Sequence, residues 1–392
     1  MSPKSSPNWV ARAEDLRADI ELLADRAEEG RTLPPETVQL LRDAGLFTIA
    51  APEAVGGAEL DPVVQTQVYE ALCAADGSTG WCLLIGAGSI AWLSAYLPDE
   101  ALAEVFDGPE FPIAAGSLHP AGRAVHADGG YRVSGRWKFG SGILHSQWVL
   151  ANTVVHRDGQ QETTPEGFPR ILTCVLPQNR VRIYPETWDV EGLRGTGSCD
   201  YSVDDAFVPD RFCFIAAETG RQRGGDWFRL PLRTRVAPSH LGAALGLARR
   251  GLEEITALAV DRTRTFTSST IAERGAFQRD LGRADAQYRA GRLLAFEALR
   301  RPLAAVAAKA PPEEISALDV QSRQACTYVT DVAAEIVSFA YRAGGGTSLY
   351  TSSKLERCFR DLHAATQHGI VSDSAYDQAG QARLGIHPTS LL

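Results

Sequence analysis

Over residues 9 to about 111, apolar positions recur at helical spacing. Leu16, Ile20, Leu23 and Ala27 make one stripe, Val38, Leu41 and Leu46 another, and Pro34-Pro35 marks a helix start. From about Ile113 to Phe214 the period changes to two. Tyr131, Val133, Gly135 and Trp137 alternate with Arg132, Ser134 and Arg136. The runs WVLANTVV, RILTCVLP and VRIYPETW follow, separated by Asp-Gly, Pro-Glu-Gly-Phe-Pro and Pro-Gln-Asn turns. This pattern predicts an antiparallel β domain. A Gly-bearing stretch at 218–231 reads as a linker. Helical spacing then returns over 241–260, 277–300, 315–343 (closed by Gly344-Gly345-Gly346) and 354–372, which predicts an up-down four-helix bundle. The expected organisation is a helical domain over 1–112, a β domain over 113–217 and a bundle over 218–392.

Residues 77–98, GSTGWCLLIGAGSIAWLSAYLP, carry no charge and approach transmembrane length. Their four Gly and three Ser, and the acidic flanks Asp76, Asp99 and Glu100, favour a buried helix pair broken at Pro98. Within it Gly86-Ala-Gly88-Ser-Ile-Ala91 mimics a dinucleotide fingerprint, but helix follows it where a βαβ unit is required. The match is one of chance.

Composition narrows the function. The 392 residues are 44 % hydrophobic and 22 % charged, as in globular chains. A net charge of −9 disfavours nucleic acid or an anionic membrane as partner. Of the 39 basic residues only Lys4, Lys138, Lys309 and Lys354 are lysine, so a lone Arg says little about phosphate. The seven Cys are odd in number and none forms C-x-x-C, so a reducing cytoplasm is expected, not disulfides or zinc. The N-terminus shows no apolar stretch of the signal-peptide kind.

Hydrolytic and metal chemistry find no support: G-x-S-x-G, H-E-x-x-H and P-loop spacings are all missing. His363 and His368 fall in one predicted helix but about 140° apart, poor for a shared metal. What remains is the junction of the β domain with its helical neighbours. AAGSLHPAGRA (114–124) opens the β domain, and GRWKFGSGILHSQW (135–148) runs through two aromatics into Gly140-Ser141-Gly142. Amides beside Gly approach a planar ligand closely and a Ser hydroxyl both donates and accepts, which suits a flavin edge; a Gly-rich hairpin reads the same way.

The order of domains, together with DGSTGWC (76–82), P-x-G-x-A (120–124), YRVSGRWKFGSG, GLRGTGSCDYSVDDAFVP (192–209) and AGGGTSLYTSSKLERCFRDLHAATQH (343–368), resembles the acyl-CoA dehydrogenase superfamily. W-x-F-x-SG-x-x-H and RD-x-H-x-x-x-x-H are most similar to its two-component flavin-dependent monooxygenases. That branch takes reduced flavin from a separate reductase and oxidises phenols, polycyclic aromatics, amino groups or sulfur. The resemblance implies that Ser141 bonds flavin N5 and protects a C4a-hydroperoxide. It implies that Ser117, Trp137, Phe139 and Gly142 shape the ring site and that His368 acts beside C4a. Arg262, Arg264, Gln278 and Gly345 would hold the adenylate half of FAD (preferred to FMN) across the interfaces of a homotetramer.

A dehydrogenase would carry a catalytic Glu soon after Arg360-Asp361; here the segment is LHAATQHGIVSDS, with His368 near that place. The rival reading, an FAD-dependent acyl-CoA dehydrogenase, would need its base in the bundle, at Glu253 or Glu254. A catalytically silent scaffold is the third reading. Phenol hydroxylases of the branch carry a substrate-holding His where this chain has Ser89, which argues against simple ortho-hydroxylation of a phenol. Trp81, Ser89, Trp92 and Tyr96, with His363, are the candidate substrate pocket; the aromatics suit a pocket wall and a core equally. The expected substrate is a bulky aromatic or polyketide-like metabolite.

Overall fold

The computed structural model describes residues 8–263 and 269–386. Six helices form the N-terminal domain: α1 (Trp9–Asp15), α2 (Arg17–Gly30), α3 (Pro35–Asp43), α4 (Pro62–Ala75), α5 (Gly77–Tyr96) and α6 (Asp99–Val105). Asp76 makes the turn between α4 and α5. In extended conformation it ends α4, and its carboxylate caps α5 by accepting from Thr79 N and Thr79 Oγ1, each at 2.7 Å. The uncharged segment is thus one long helix, α5, followed by the break at Pro98 and then α6. It is apolar enough to cross a membrane, yet 78 % of its most apolar window is buried inside the protein. Along α5 only Ile85, Gly88, Ser89 and Trp92 escape burial. They stand at i, i+3, i+4 and i+7, so the helix opens along a single stripe.

Eight strands form one sheet: β1 (Ala114–Ala127), β2 (Gly130–Gly140), β3 (Trp148–Arg157), β4 (Gln160–Gln161), β5 (Ile171–Pro177), β6 (Arg182–Tyr184), β7 (Cys199–Pro209) and β8 (Cys213–Phe214). The order is β6-β7-β2-β1-β3-β5-β8, with β4 on β3. The antiparallel expectation needs one correction. β1 and β3 pair in parallel, from Ala114↔Trp148 to Val125↔His156, slipping between Ser117 and Gly122, so the sheet is mixed. Alternation reports which face a side chain takes and is blind to strand direction. β2 hairpins back on β1, and the turn after Gly140 returns the chain to the starting end of β1.

The C-terminal helices are α7 (Leu232–Asp261), α8 (Gly275–Ala307), α9 (Pro312–Gly344), α10 (Lys354–Ala365) and α11 (Ser374–Arg383). α7 starts nine residues before the periodicity announces it, after Pro231, and absorbs Pro238. The predicted helix over 354–372 stops at Ala365, and His368 caps a separate short turn. His363 and His368 therefore do not share a helix.

Candidate active site

β2 ends at Gly140 and the chain turns sharply through Ser141 and Gly142. Gly142 takes a left-handed φ of +72° and donates its N–H to Thr196 O at 2.9 Å, tying the turn to the GLRGTG loop. The buried Ser141 hydroxyl receives Trp81 Nε1 from α5 at 3.2 Å and lies 2.7 Å from Ser198 Oγ. Ser198 Oγ is 2.6 Å from Thr196 Oγ1, which donates to Leu193 O at 2.8 Å. Three hydroxyl protons serve three contacts, which sets their direction: Ser141 gives to Ser198, Ser198 to Thr196, Thr196 to Leu193. Ser141 Oγ is left as an acceptor with no proton to offer.

Trp81 links this chain to a histidine pair. Its ring meets His240 of α7 edge-on at 5.7 Å and His368 at 5.8 Å. His240 Nε2 and His368 Nδ1 are 3.0 Å apart, and Ile370 N–H donates to the same His368 Nδ1 at 3.3 Å. The Ile370 N–H makes Nδ1 an acceptor and places the proton of a neutral His368 on Nε2, the nitrogen with no partner among the described residues. His240 Nδ1 lies 3.3 Å from Val236 O, so the two rings share a hydrogen bond only in the tautomer that carries the His240 proton on Nε2. Burial pushes His368 down to about 4, and burial with the neighbouring His368 takes His240 to about 3. Both rings are neutral at physiological pH. Among the described residues no third His, Cys, Asp or Glu joins them into a metal set.

The α5 stripe runs from Trp81 past Ile85 and Ser89 to Trp92 and Tyr96. At its far end Trp92 and Tyr96 pack at 4.9 Å, and Tyr96 stacks on Phe214 at 5.0 Å. Arg235 of α7 lies 4.7 Å over the Trp92 ring and donates to Tyr96 Oη at 3.3 Å. α5 and α7 thus pack face to face, with the histidines at one end of the shared face and Arg235 at the other.

The remaining candidates divide. Phe139 is exposed at 65 %, holds a left-handed φ of 64°, and sets its ring edge-to-face with Trp188 at 6.4 Å. It stands free for a planar ligand. Trp137 does not: fully buried, stacked on Tyr201 at 5.3 Å and donating Nε1 to Asn152 O at 2.7 Å, it belongs to the β core. Period two sends Phe139 to the same face, and the left-handed bend at Phe139 turns the strand out of the core. Ser117 sits at the β1 slip, its N–H donating to Tyr201 Oη at 2.9 Å. Arg262 donates to Thr347 Oγ1 at 3.1 Å, beside Gly345, at the end of the bundle where α7 stops and α8 begins; the exposed Gln278 donates to Ala272 O at 2.9 Å there. None of these three bonds to the Ser141 cluster. Arg264 lies outside the described residues. His363 also leaves the pocket: it meets Ser338 Oγ of α9 at 3.2 Å and packs on Phe359 at 4.4 Å. Glu253 pairs with Arg17 at 2.6 Å and Glu254 with Arg250 at 2.8 Å, so neither bundle carboxylate reaches Trp81 or His368.

Sequence reasoning missed His240, Ser198 and Arg235. Ser198 stood inside the quoted GLRGTGSCD run. His240 and Arg235 had no motif and lay in 232–240, between the linker reading that ended at 231 and the helical reading that began at 241.

Comparison with known proteins agrees with this geometry. The acyl-CoA dehydrogenase N-terminal domain matches residues 13–104, and the acyl-CoA dehydrogenase C-terminal domain matches 239–373. Indole-3-acetate monooxygenase of Pseudomonas putida is 30 % identical over 97 % of this chain and 95 % of its own. The oxygenase component of the FADH(2)-dependent resorcinol hydroxylase of a Rhizobium species is 29 % identical over 93 % and 91 %. The crystal structure of the HsaA monooxygenase from Mycobacterium tuberculosis superposes with a TM-score of 0.86 at 26 % identity, covering 97 % of this chain and 98 % of that one. The chain belongs to the acyl-CoA dehydrogenase superfamily, within its branch of two-component flavin-dependent monooxygenases.

Proposed function

We propose that this chain is an oxygenase component that takes reduced flavin from a separate reductase and, with dioxygen, places one oxygen atom on an aromatic small molecule, the other leaving as water. The observation that carries this reading is the direction of the Ser141 hydroxyl chain. An acceptor-only oxygen matches the N5–H that reduced flavin presents and mismatches the bare N5 of the oxidised form. Bound reduced flavin supplies the electron pair that activates dioxygen. The protein's own residues do the rest. Trp81 Nε1 and Ser198 hold Ser141 in place, and Phe139 offers a face at the rim. His368 Nε2–H serves as a neutral donor to the bound reactants, with buried Trp81 and His240 packed beside its ring.

The acyl-CoA dehydrogenase reading needs a carboxylate to take an α-proton. Neither Glu253 nor Glu254 is available, and His368 stands after Arg360-Asp361. FAD is preferred to FMN on the strength of the Arg262–Thr347 corner and of the relative named for FADH(2). The exposed Val260, Leu349 and Tyr350 at that corner support its coverage by a neighbouring subunit in a homotetramer. Seven free thiols, six of them buried, suit a reducing cytoplasm.

Anaerobic titration with FAD and FMN, each oxidised and reduced, tests the reading. Reduced flavin is expected to bind at least tenfold more tightly and, on mixing with oxygen, to be consumed with aromatic product or hydrogen peroxide. Bleaching of bound oxidised flavin by an acyl-CoA would restore the dehydrogenase.

A further inference from the structure

At one end of the face that α5 and α7 share stands a positive charge, Arg235, with no counter-charge among the described residues. Three other arginines held within the protein sit on carboxylates: Arg250 between Glu21 and Glu254, Arg357 on Asp25 and Glu28, Arg360 on Glu28 and Glu356, while buried Arg323 donates to Gln378 Oε1 at 2.5 Å and Ser374 Oγ at 2.9 Å. Arg235 has no carboxylate among the described residues. Its surroundings are the Trp92 ring at 4.7 Å, the Tyr96 ring at 5.9 Å with its hydroxyl at 3.3 Å, and the like charge of Arg221. Two N–H groups are sealed there without an acceptor, Arg235 Nε and Trp92 Nε1. A guanidinium stripped of water is tolerated when an anion completes it, and its planar fork fits a carboxylate. Both orphan donors and the charge ask for the same thing: oxygen atoms bearing a negative charge.

Along the helix, Trp92 stands eleven residues beyond Trp81, roughly 16 Å at 1.5 Å per residue. The face between them carries Ile85, Gly88 and Ser89, apolar or small and uncharged. We propose that Arg235, with Trp92 Nε1, anchors a carboxylate on the substrate, so that the molecule oxidised is an aromatic acid whose ring lies along this stripe toward His368. The proposal rests on the monooxygenase reading for what happens to the ring. The anchor itself depends only on Arg235 and its box. It also accounts for a site that has Ser89 in place of a phenol-holding His: orientation comes from the acid end.

The test uses the full-length protein and three pairs of probes: indole-3-acetate against 3-methylindole, phenylacetate against toluene, and 1-naphthylacetate against 1-methylnaphthalene. Affinities are read by quenching of tryptophan fluorescence and by calorimetry. At least one acid is expected to bind tenfold or more tightly than its neutral counterpart, the gain of a charge-assisted pair in a dry site. Arg235→Met should bring that ratio near one, Arg235→Lys should keep part of it, and Arg229→Met, at an exposed pair with Asp226, should leave it as in the parent. Folding should survive Arg235→Met, which replaces an unpaired buried cation by an apolar chain. If no acid outbinds its counterpart, or if the ratio persists in Arg235→Met, the anchor is wrong. Oxygen consumption by the parent protein with reduced flavin alone, without any acid, reports separately on the monooxygenase reading, so either can fail without the other.

Discussion

On the proposed reading the Ser141 hydroxyl favours reduced over oxidised flavin, because the hydroxyl chain commits its proton to Ser198. Ser141→Ala should therefore weaken reduced flavin by more than oxidised flavin. A neutral hydrogen bond is worth about 0.5–1.5 kcal/mol, so the loss should be roughly 2- to 13-fold, with Trp81 Nε1 left unmatched. More of the oxygen consumed should leave as hydrogen peroxide, measured by a peroxidase-coupled assay beside stopped-flow spectra. Equal weakening of both forms would deny the proton direction. His368 makes a second prediction. An ordinary imidazole titrates at about 6.5, which would put its switch near working pH. Burial takes this one down to about 4, so on the proposed reading it acts as a neutral donor throughout the working range. Product yield per flavin consumed should fall in His368→Ala at every pH from 6 to 9, with no inflection near 6.5 in the parent. A parent profile that bends at 6.5 and flattens in the variant would contradict the geometry.

Helix α5 shows how one element serves core and site at once. Its buried faces meet α4, α7 and β1, while the stripe from Ile85 to Trp92 stays partly open. Close approach to α4 is what seats Trp81. A Cβ on Gly80 would lie 2.2 Å from Cys73 Sγ and 2.8 Å from Cys73 N, and the second of these is backbone that cannot swing aside. Gly80→Ala should cost about 1–3 kcal/mol in urea unfolding through overpacking. It should also displace Trp81 from Ser141, so flavin affinity falls with stability. Unchanged stability would mean that the α4–α5 contact is looser than these distances.

Across the whole molecule, buried histidines make stability depend on pH. His145 and His368 are held near 4 and His240 near 3, each chiefly by burial. The unfolded chain takes up their protons from about pH 6.5 downward while the native chain does not, so these groups make stability fall as the solution is acidified. Asp361, raised to about 7 by burial and by Asp76, and Asp76 itself, raised by burial, act in the opposite sense. Three groups outweigh two. Unfolding free energy should drop between pH 6.5 and 4.5 by an amount on the order of 1–3 kcal/mol, followed by denaturant titration at each pH. A flat or rising curve would sink this account. Light scattering on the intact chain, read against one chain mass, tests the homotetramer; a monodisperse monomer that still binds flavin would exclude it.

The sequence by itself determined the order of helical domain, sheet and bundle, because period 3.6 and period 2 are written in which residues must be buried. It also determined that Ser141 lies in a turn at the end of a strand, and the family resemblance set His368 near where a dehydrogenase carries its Glu, since both sit in local motifs. The tertiary structure decided what local pattern does not encode. It set β1 parallel to β3, sent Trp137 into the core while Phe139 stayed outside, and packed His363 against Ser338 and Phe359, away from Trp81. It also brought together His240 and His368, 128 residues apart, and put Arg235 against Trp92 and Tyr96, more than 130 residues away. Such meetings depend on how α5, α7 and the turn after α10 pack. No spacing along the chain carries that information, because the distance between two helices in sequence says nothing of the face each turns to the other.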